Sequence, residues 1–105
     1  MRYRSFGSTG WQVSEIGFGA WQLGADWGEV SEDDALATLN AALEAGVTFI
    51  DTADVYGDGR SEQIIGKLLR SHGDSGLTVA TKMGRRVALD PALYTLDNFR
   101  AWTDR

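Results

Sequence analysis

The sequence predicts an α/β fold in which a β-hairpin precedes short strands that alternate with amphipathic helices. Three observations carry this. Apolar runs too short for helices recur along the chain: Ile16-Gly17-Phe18-Gly19-Ala20, Val47-Thr48-Phe49-Ile50 and Leu77-Thr78-Val79-Ala80-Thr81. The segments between them carry apolar residues on one stripe at helical spacing. The changes of period fall at glycines or capping residues. Strand, helix and strand in that order give right-handed βαβ units and a parallel sheet.

In chain order, Arg2 to Phe6 and Trp11 to Ile16 roughly alternate polar and apolar residues around Gly7-Ser8-Thr9-Gly10, as a hairpin requires. Residues 1–16 are therefore read as the hairpin, and 16–105 as βαβαβ and the start of a further helix. The glycines of Ile16 to Ala20 let another backbone or a flat ligand approach closely. A loop with Trp21 and Trp27 follows. Ser31 caps a helix whose first turn holds Glu32, Asp33 and Asp34, favoured there by the helix dipole. Ala35, Leu36, Leu39, Ala42 and Leu43 form its stripe, and Gly46 ends it where a left-handed residue is wanted. Val47 to Ile50 then read as a strand buried on both faces. A second helix begins near Ser61, presents Ile64, Ile65, Leu68 and Leu69, and closes at His72-Gly73. Leu77 to Thr81 form another strand of buried character. Met83 to Leu93 read as irregular, with Pro91 as a breaker, and Thr95 caps a last helix bearing Leu96, Phe99 and Trp102.

Composition removes several functions. The chain has 105 residues, a net charge of −5, no cysteine and one histidine. The charge and the scatter of its ten basic residues exclude a nucleic-acid surface. Without cysteine there is no disulfide framework or thiolate metal site, and His72 alone builds no zinc site, so no metal is expected. The N-terminus lacks a signal-peptide core and no apolar run reaches membrane-spanning length, so the expectation is a cytosolic protein.

Asp51 ends one strand, Lys82 another, and Tyr56 follows Asp51 by five residues. In a parallel sheet the carboxyl ends of successive strands share one rim, where such folds place their chemistry. A phenol with a pKa near 10 is a poor acid at neutral pH unless its environment helps. An ammonium favours the phenolate, and a carboxylate holds the ammonium in place. The three together make a proton donor for a carbonyl oxygen, although each taken singly is more often a solvated or turn-forming residue. Gly57-Asp58-Gly59-Arg60-Ser61 has neither the Lys-Ser/Thr of a P-loop nor dinucleotide-fingerprint spacing.

The stretch Gly46-Val47-Thr48-Phe49-Ile50-Asp51-Thr52-Ala53-Asp54-Val55-Tyr56-Gly57, with Ser61-Glu62-Gln63-Ile64-Ile65-Gly66 after it, resembles the first signature of the aldo-keto reductases. Thr81-Lys82 resembles the position of that family's active-site lysine. Gly17-Phe18-Gly19-Ala20-Trp21 resembles its opening strand and loop. The resemblance implies the N-terminal portion, about three βα units, of a (β/α)8 TIM barrel behind a hairpin. It also implies NADP-dependent reduction of aldehydes or ketones. Carried over, Tyr56 is the general acid, Lys82 lowers its pKa, and Asp51 holds Lys82. Gly19, Ala20, Trp21 and Asp51 meet the nicotinamide end of NADP(H). Trp21, Trp27 and Tyr56 line the substrate pocket, with Trp27 equally readable as a loop aromatic packed on the rim.

The family's catalytic histidine after the fourth strand has no counterpart here. His72 closes a helix, where a cation complements the dipole. Three parallel strands leave two open edges, and the last helix reaches Trp102-Thr103-Asp104-Arg105 without a C-cap. A complete barrel takes about 250 residues. The alternative reading is thus a truncated, non-catalytic fragment, or a partial barrel that associates with itself through those edges. The strand ending at Lys82 is expected to pair outside the chain or to be covered by the segment from Met83.

Overall fold

The computed structural model describes residues 1–73 and 76–104. Arg105, at the end of the last expected helix, lies outside them. Strands β1 (Tyr3–Ser5) and β2 (Gln12–Ser14) pair antiparallel, with Arg4 opposite Val13. The Phe6 N–H donates to the Trp11 carbonyl at 2.9 Å and closes the hairpin. Three strands follow, β3 (Phe18–Gly19), β4 (Phe49–Asp51) and β5 (Thr78–Ala80), parallel and in the order β3-β4-β5. Helices α1 (Glu32–Glu44) and α2 (Arg60–His72) connect them.

Register decides which side chains meet. Phe18, Ile50 and Val79 lie opposite one another, and so do Gly19, Asp51 and Ala80. Successive side chains point to opposite faces of a strand, so the first row faces the helices. Ile50 is fully buried there among Ala35 and Leu39 of α1 and Ile64, Ile65 and Leu68 of α2. The second row lies on the other face, where Asp51 is exposed. Burial on both faces is therefore corrected: helices cover one face, while the other carries the exposed Asp51, and its Phe49 packs on Phe6 of the hairpin with ring centroids 5.5 Å apart. The three residues of β5 are half-buried.

The local signals hold at the helix ends. Ser31 Oγ accepts from the Asp34 N–H at 3.0 Å, and Gly46 follows α1 with φ 98°. Helix α2 starts at Arg60, one residue before the expected start, behind Gly59 in the left-handed region. Its last residue, His72, shares a 2.8 Å hydrogen bond with Asn40 Oδ1 of α1, which makes it a link between helices. At the end where the strands begin, Ser14 and Thr48 exchange two backbone to side-chain bonds of 2.9 Å, and Tyr3 Oη donates to the Gly46 carbonyl. The hairpin is thus bolted to the end of the sheet opposite Asp51.

The segment after β5 departs further from expectation. It contains a 3₁₀ turn, Pro91–Leu93, and then α3 (Leu96–Thr103), whose cap Thr95 accepts from the Asn98 N–H at 3.2 Å. Phe99 and Trp102 cluster with Tyr94 at centroid distances of 5.5 to 6.1 Å, but Leu96 stays 63% exposed. At about 100° per residue, Leu96 and Trp102 diverge by roughly 120°, so three residues spaced by three cannot face one neighbour. No strand among the described residues pairs the outer edge of β5. With extents of 42 × 38 × 22 Å and a radius of gyration of 15.0 Å, the described chain is flattened, its helices lying on one face of the parallel sheet. A compact domain of about 100 residues has a radius near 13 Å.

Two loops of the rim touch at backbone level. The Trp21 to Gly24 segment, read from sequence as loop, is a 3₁₀ turn. Its Gly24 lies so close to Gly57 that a Cβ on Gly57 would sit 2.3 Å from the Gly24 carbonyl oxygen. Gly57 also has φ 63°, and Gly59 has φ 98° with nothing within 4 Å of an added Cβ. Gly57→Ala is therefore expected to cost about 2–5 kcal/mol, from left-handed backbone and overlap together. Gly59→Ala, with the strain alone, should cost about 1–2 kcal/mol. Urea denaturation of the two variants checks the difference, and equal losses would contradict the close approach.

Candidate active site

Backbone bonds continue past the ends of β4 and β5. The Thr52 N–H donates to the Ala80 carbonyl at 2.8 Å and the Asp54 N–H to the Lys82 carbonyl at 3.1 Å. Lys82, two residues beyond β5, is thereby held beside the residues that follow Asp51. Its Nζ donates to Asp51 Oδ1 at 2.6 Å and to the Thr52 carbonyl at 2.6 Å. The same ammonium lies 5.5 Å from the centroid of the Tyr56 ring, within the range of cation–π attraction. Asp51, Tyr56 and Lys82 therefore meet at one rim.

The hydrogen bond from Asp51 raises the pKa of Lys82 above its ordinary 10.5; desolvation opposes it, and the charge of Asp51 and the neighbouring Tyr56 add further upward pushes. Lys82 is thus a fixed cation at neutral pH. The Asp51 and Lys82 side chains are 53% and 51% exposed, so solvent screens the pair and its contribution to stability is small. What the pair supplies is position: an ammonium held on two acceptors beside a phenol.

The tryptophans form the wall next to it. Trp21 stacks on Tyr56 with centroids 5.9 Å apart and planes 19° apart. Trp27 meets Trp21 edge-on at 4.6 Å. Both remain open to solvent, Trp21 at 45% and Trp27 at 66%. Gly19 stands beside Asp51 in the sheet register, and a Cβ there would meet nothing within 4 Å. Gly19 therefore leaves open space beside Asp51 at the rim. Ala20 lies behind it, fully buried, with its N–H given to the Asp51 carbonyl and its own carbonyl taken by Ser61.

Several residues of the rim were not singled out in the sequence. Thr52 supplies the second acceptor for Lys82. The buried hydroxyls of Thr52 and Ser61 lie 2.9 Å apart, and Ser61 Oγ donates to the Ala20 carbonyl at 2.9 Å. Asp26 Oδ2 accepts from the Gly57 N–H at 3.1 Å. Arg60 donates to the Leu23 and Val30 carbonyls. Gly24 and Gly57 carried the one available hint, as glycines in a loop.

A family model described as the aldo/keto reductase family matches residues 15–101. An aldo-keto reductase of Bacillus subtilis is 40% identical over 86% of this chain, and an L-galactose dehydrogenase of Arabidopsis thaliana is 46% identical over 78%. The structure of an aldo-keto reductase from Bacillus halodurans, in its holo form, superposes with a TM-score of 0.71 at 35% identity over 84% of the chain. The chain spans between 26% and 28% of the length of these relatives. Its hairpin and three βα units have the architecture of the N-terminal portion of a (β/α)8 TIM barrel. The chain belongs to the aldo/keto reductase family.

Proposed function

We propose that the protein carrying this chain is an NADP-dependent oxidoreductase that reduces aldehydes or ketones to alcohols. The observation that carries the reading is the Lys82 ammonium, held 2.6 Å from Asp51 and facing the Tyr56 ring at 5.5 Å. In this role Tyr56 donates the phenolic proton to the carbonyl oxygen of the substrate. Lys82 stabilises the negative charge left on the phenol oxygen, and Asp51 fixes Lys82 in place. Gly19, Asp51 and Trp21, with Ala20 behind them, would hold the nicotinamide end of the cofactor, which when bound would supply the hydride. Trp21 and Trp27 give the substrate an apolar wall beside Tyr56. NADP(H) as the dinucleotide, a small carbonyl compound as the partner and a cytoplasmic location belong to the same proposal. No helix among the described residues is long and apolar enough to cross a membrane.

A second reading concerns the 105 residues by themselves, and the exposure of the site favours it. With Asp51 and Lys82 about half in solvent, water competes for both charges. A general acid of this kind works best where water is excluded. We propose that the isolated chain does not turn over, and that its open sheet edges allow self-association.

Tyr56→Phe, in the protein that carries the chain, is expected to lower kcat for aldehyde-dependent NADPH oxidation by about 10²–10⁴-fold. Lys82→Met should fall in the same range while cofactor binding, followed by fluorescence quenching, is retained. Undiminished turnover in either variant would contradict the assignment.

A further inference from the structure

We propose that Arg60 is a specificity-determining positioning residue, which clamps the tryptophan-bearing loop against Tyr56 from outside the reaction centre. It rests on the reductase reading for its kinetic consequence, but its structural basis is independent. Arg60 opens α2, half-buried, and its two terminal nitrogens donate to the carbonyls of Leu23, at 2.5 Å, and Val30. Those carbonyls bracket the segment that carries Trp27, and that of Leu23 belongs to the turn that carries Trp21. Among the described residues no carboxylate forms an ion pair with Arg60, so its charge is spent on backbone carbonyls of one loop. A planar guanidinium can bridge two acceptors in a fixed fork, whereas an ammonium is a point donor on a flexible stem.

The rest of the loop is tied to the same place. Asp26 accepts from Gly57, Gly24 abuts Gly57, and Ser61, next to Arg60, holds the Ala20 carbonyl. Trp21 lies between the Ala20 and Leu23 anchors. Its stacking on Tyr56 and its edge contact with Trp27 are therefore set by the start of α2. A loop released at Leu23 and Val30 would leave Tyr56, Lys82 and Asp51 in place, and Trp21 beside the Ala20 carbonyl that Ser61 still holds, while the Trp27 part of the aromatic wall shifts. Substrates that lean on that wall would suffer, and small ones would not.

The test compares wild type with Arg60→Lys in the protein that carries this chain. Two indoles at 4.6 Å and 61° should give an exciton couplet in far-ultraviolet circular dichroism, assigned by its loss in Trp27→Phe. Arg60→Lys is expected to reduce the couplet by more than half. It should lower kcat/KM for an aromatic aldehyde by roughly 10-fold, mainly through KM, and leave propanal within about twofold, since misplacement of a binding wall acts on the substrates that use it. If Arg60→Lys does not yield folded protein, Arg60→Gln, which keeps one donating amide, is read in the same way. A retained couplet, or an aromatic-to-propanal ratio that does not change, overturns the proposal. A wild type that reduces no carbonyl but loses its couplet in Arg60→Lys refutes the reductase reading and leaves the clamp standing.

Discussion

Parallel pairing of β4 and β5, with Asp51 opposite Ala80, is the constraint on which the rest depends. Because both strands run the same way and finish at the same level, the residues that follow them emerge side by side. The Thr52 and Asp54 N–H groups extend the pairing beyond the strands, and Lys82 has nowhere else to go. A shift of one residue would carry Asp51 to the helix face, exchanging a solvated carboxylate for a buried one. The fully buried Ile50, packed on both helices, is what forbids that shift.

The molecule divides rigidity and exposure between two surfaces. Beneath the rim, Ala20, Thr52 and Ser61 are buried and joined by hydrogen bonds, so the loops leaving β3 and β4 start from fixed points. Above it, the charged pair and the tryptophans stand in solvent. An exposed ion pair adds little to stability. Its geometry is instead inherited from the sheet below, and this is how a weak interaction comes to hold a defined position.

Much of this was legible locally. Ser31, Gly46 and Thr95 mark helix ends by chemistry that acts over three or four residues, and the strands were visible as short β-branched runs. Asp51, Tyr56 and Lys82 could be placed at one rim because parallel topology alone brings strand ends together. What escaped notice acts over distance. Arg60 reaches Leu23 and Val30 across 37 and 30 residues, and Ser61 reaches Ala20 across 41, with no periodicity to announce either. The one-sided burial of β4 is not legible in the sequence, because an apolar run does not tell whether its second face meets protein or solvent. The stripe of α3 misled because a spacing of three drifts around a helix of 3.6 residues per turn.

The central claim is that the carboxylate, the phenol and the ammonium behave as one electrostatic unit. It is tested most directly by following the titration of the Lys82 side chain by NMR with isotope-labelled lysine, assigned through Lys82→Met. Since Asp51 and Tyr56 both favour the protonated form, Lys82 should keep its proton as pH rises past the ordinary 10.5, and Asp51→Asn should move the midpoint down. A Lys82 midpoint at or below the ordinary value, unmoved by Asp51→Asn, would contradict the account.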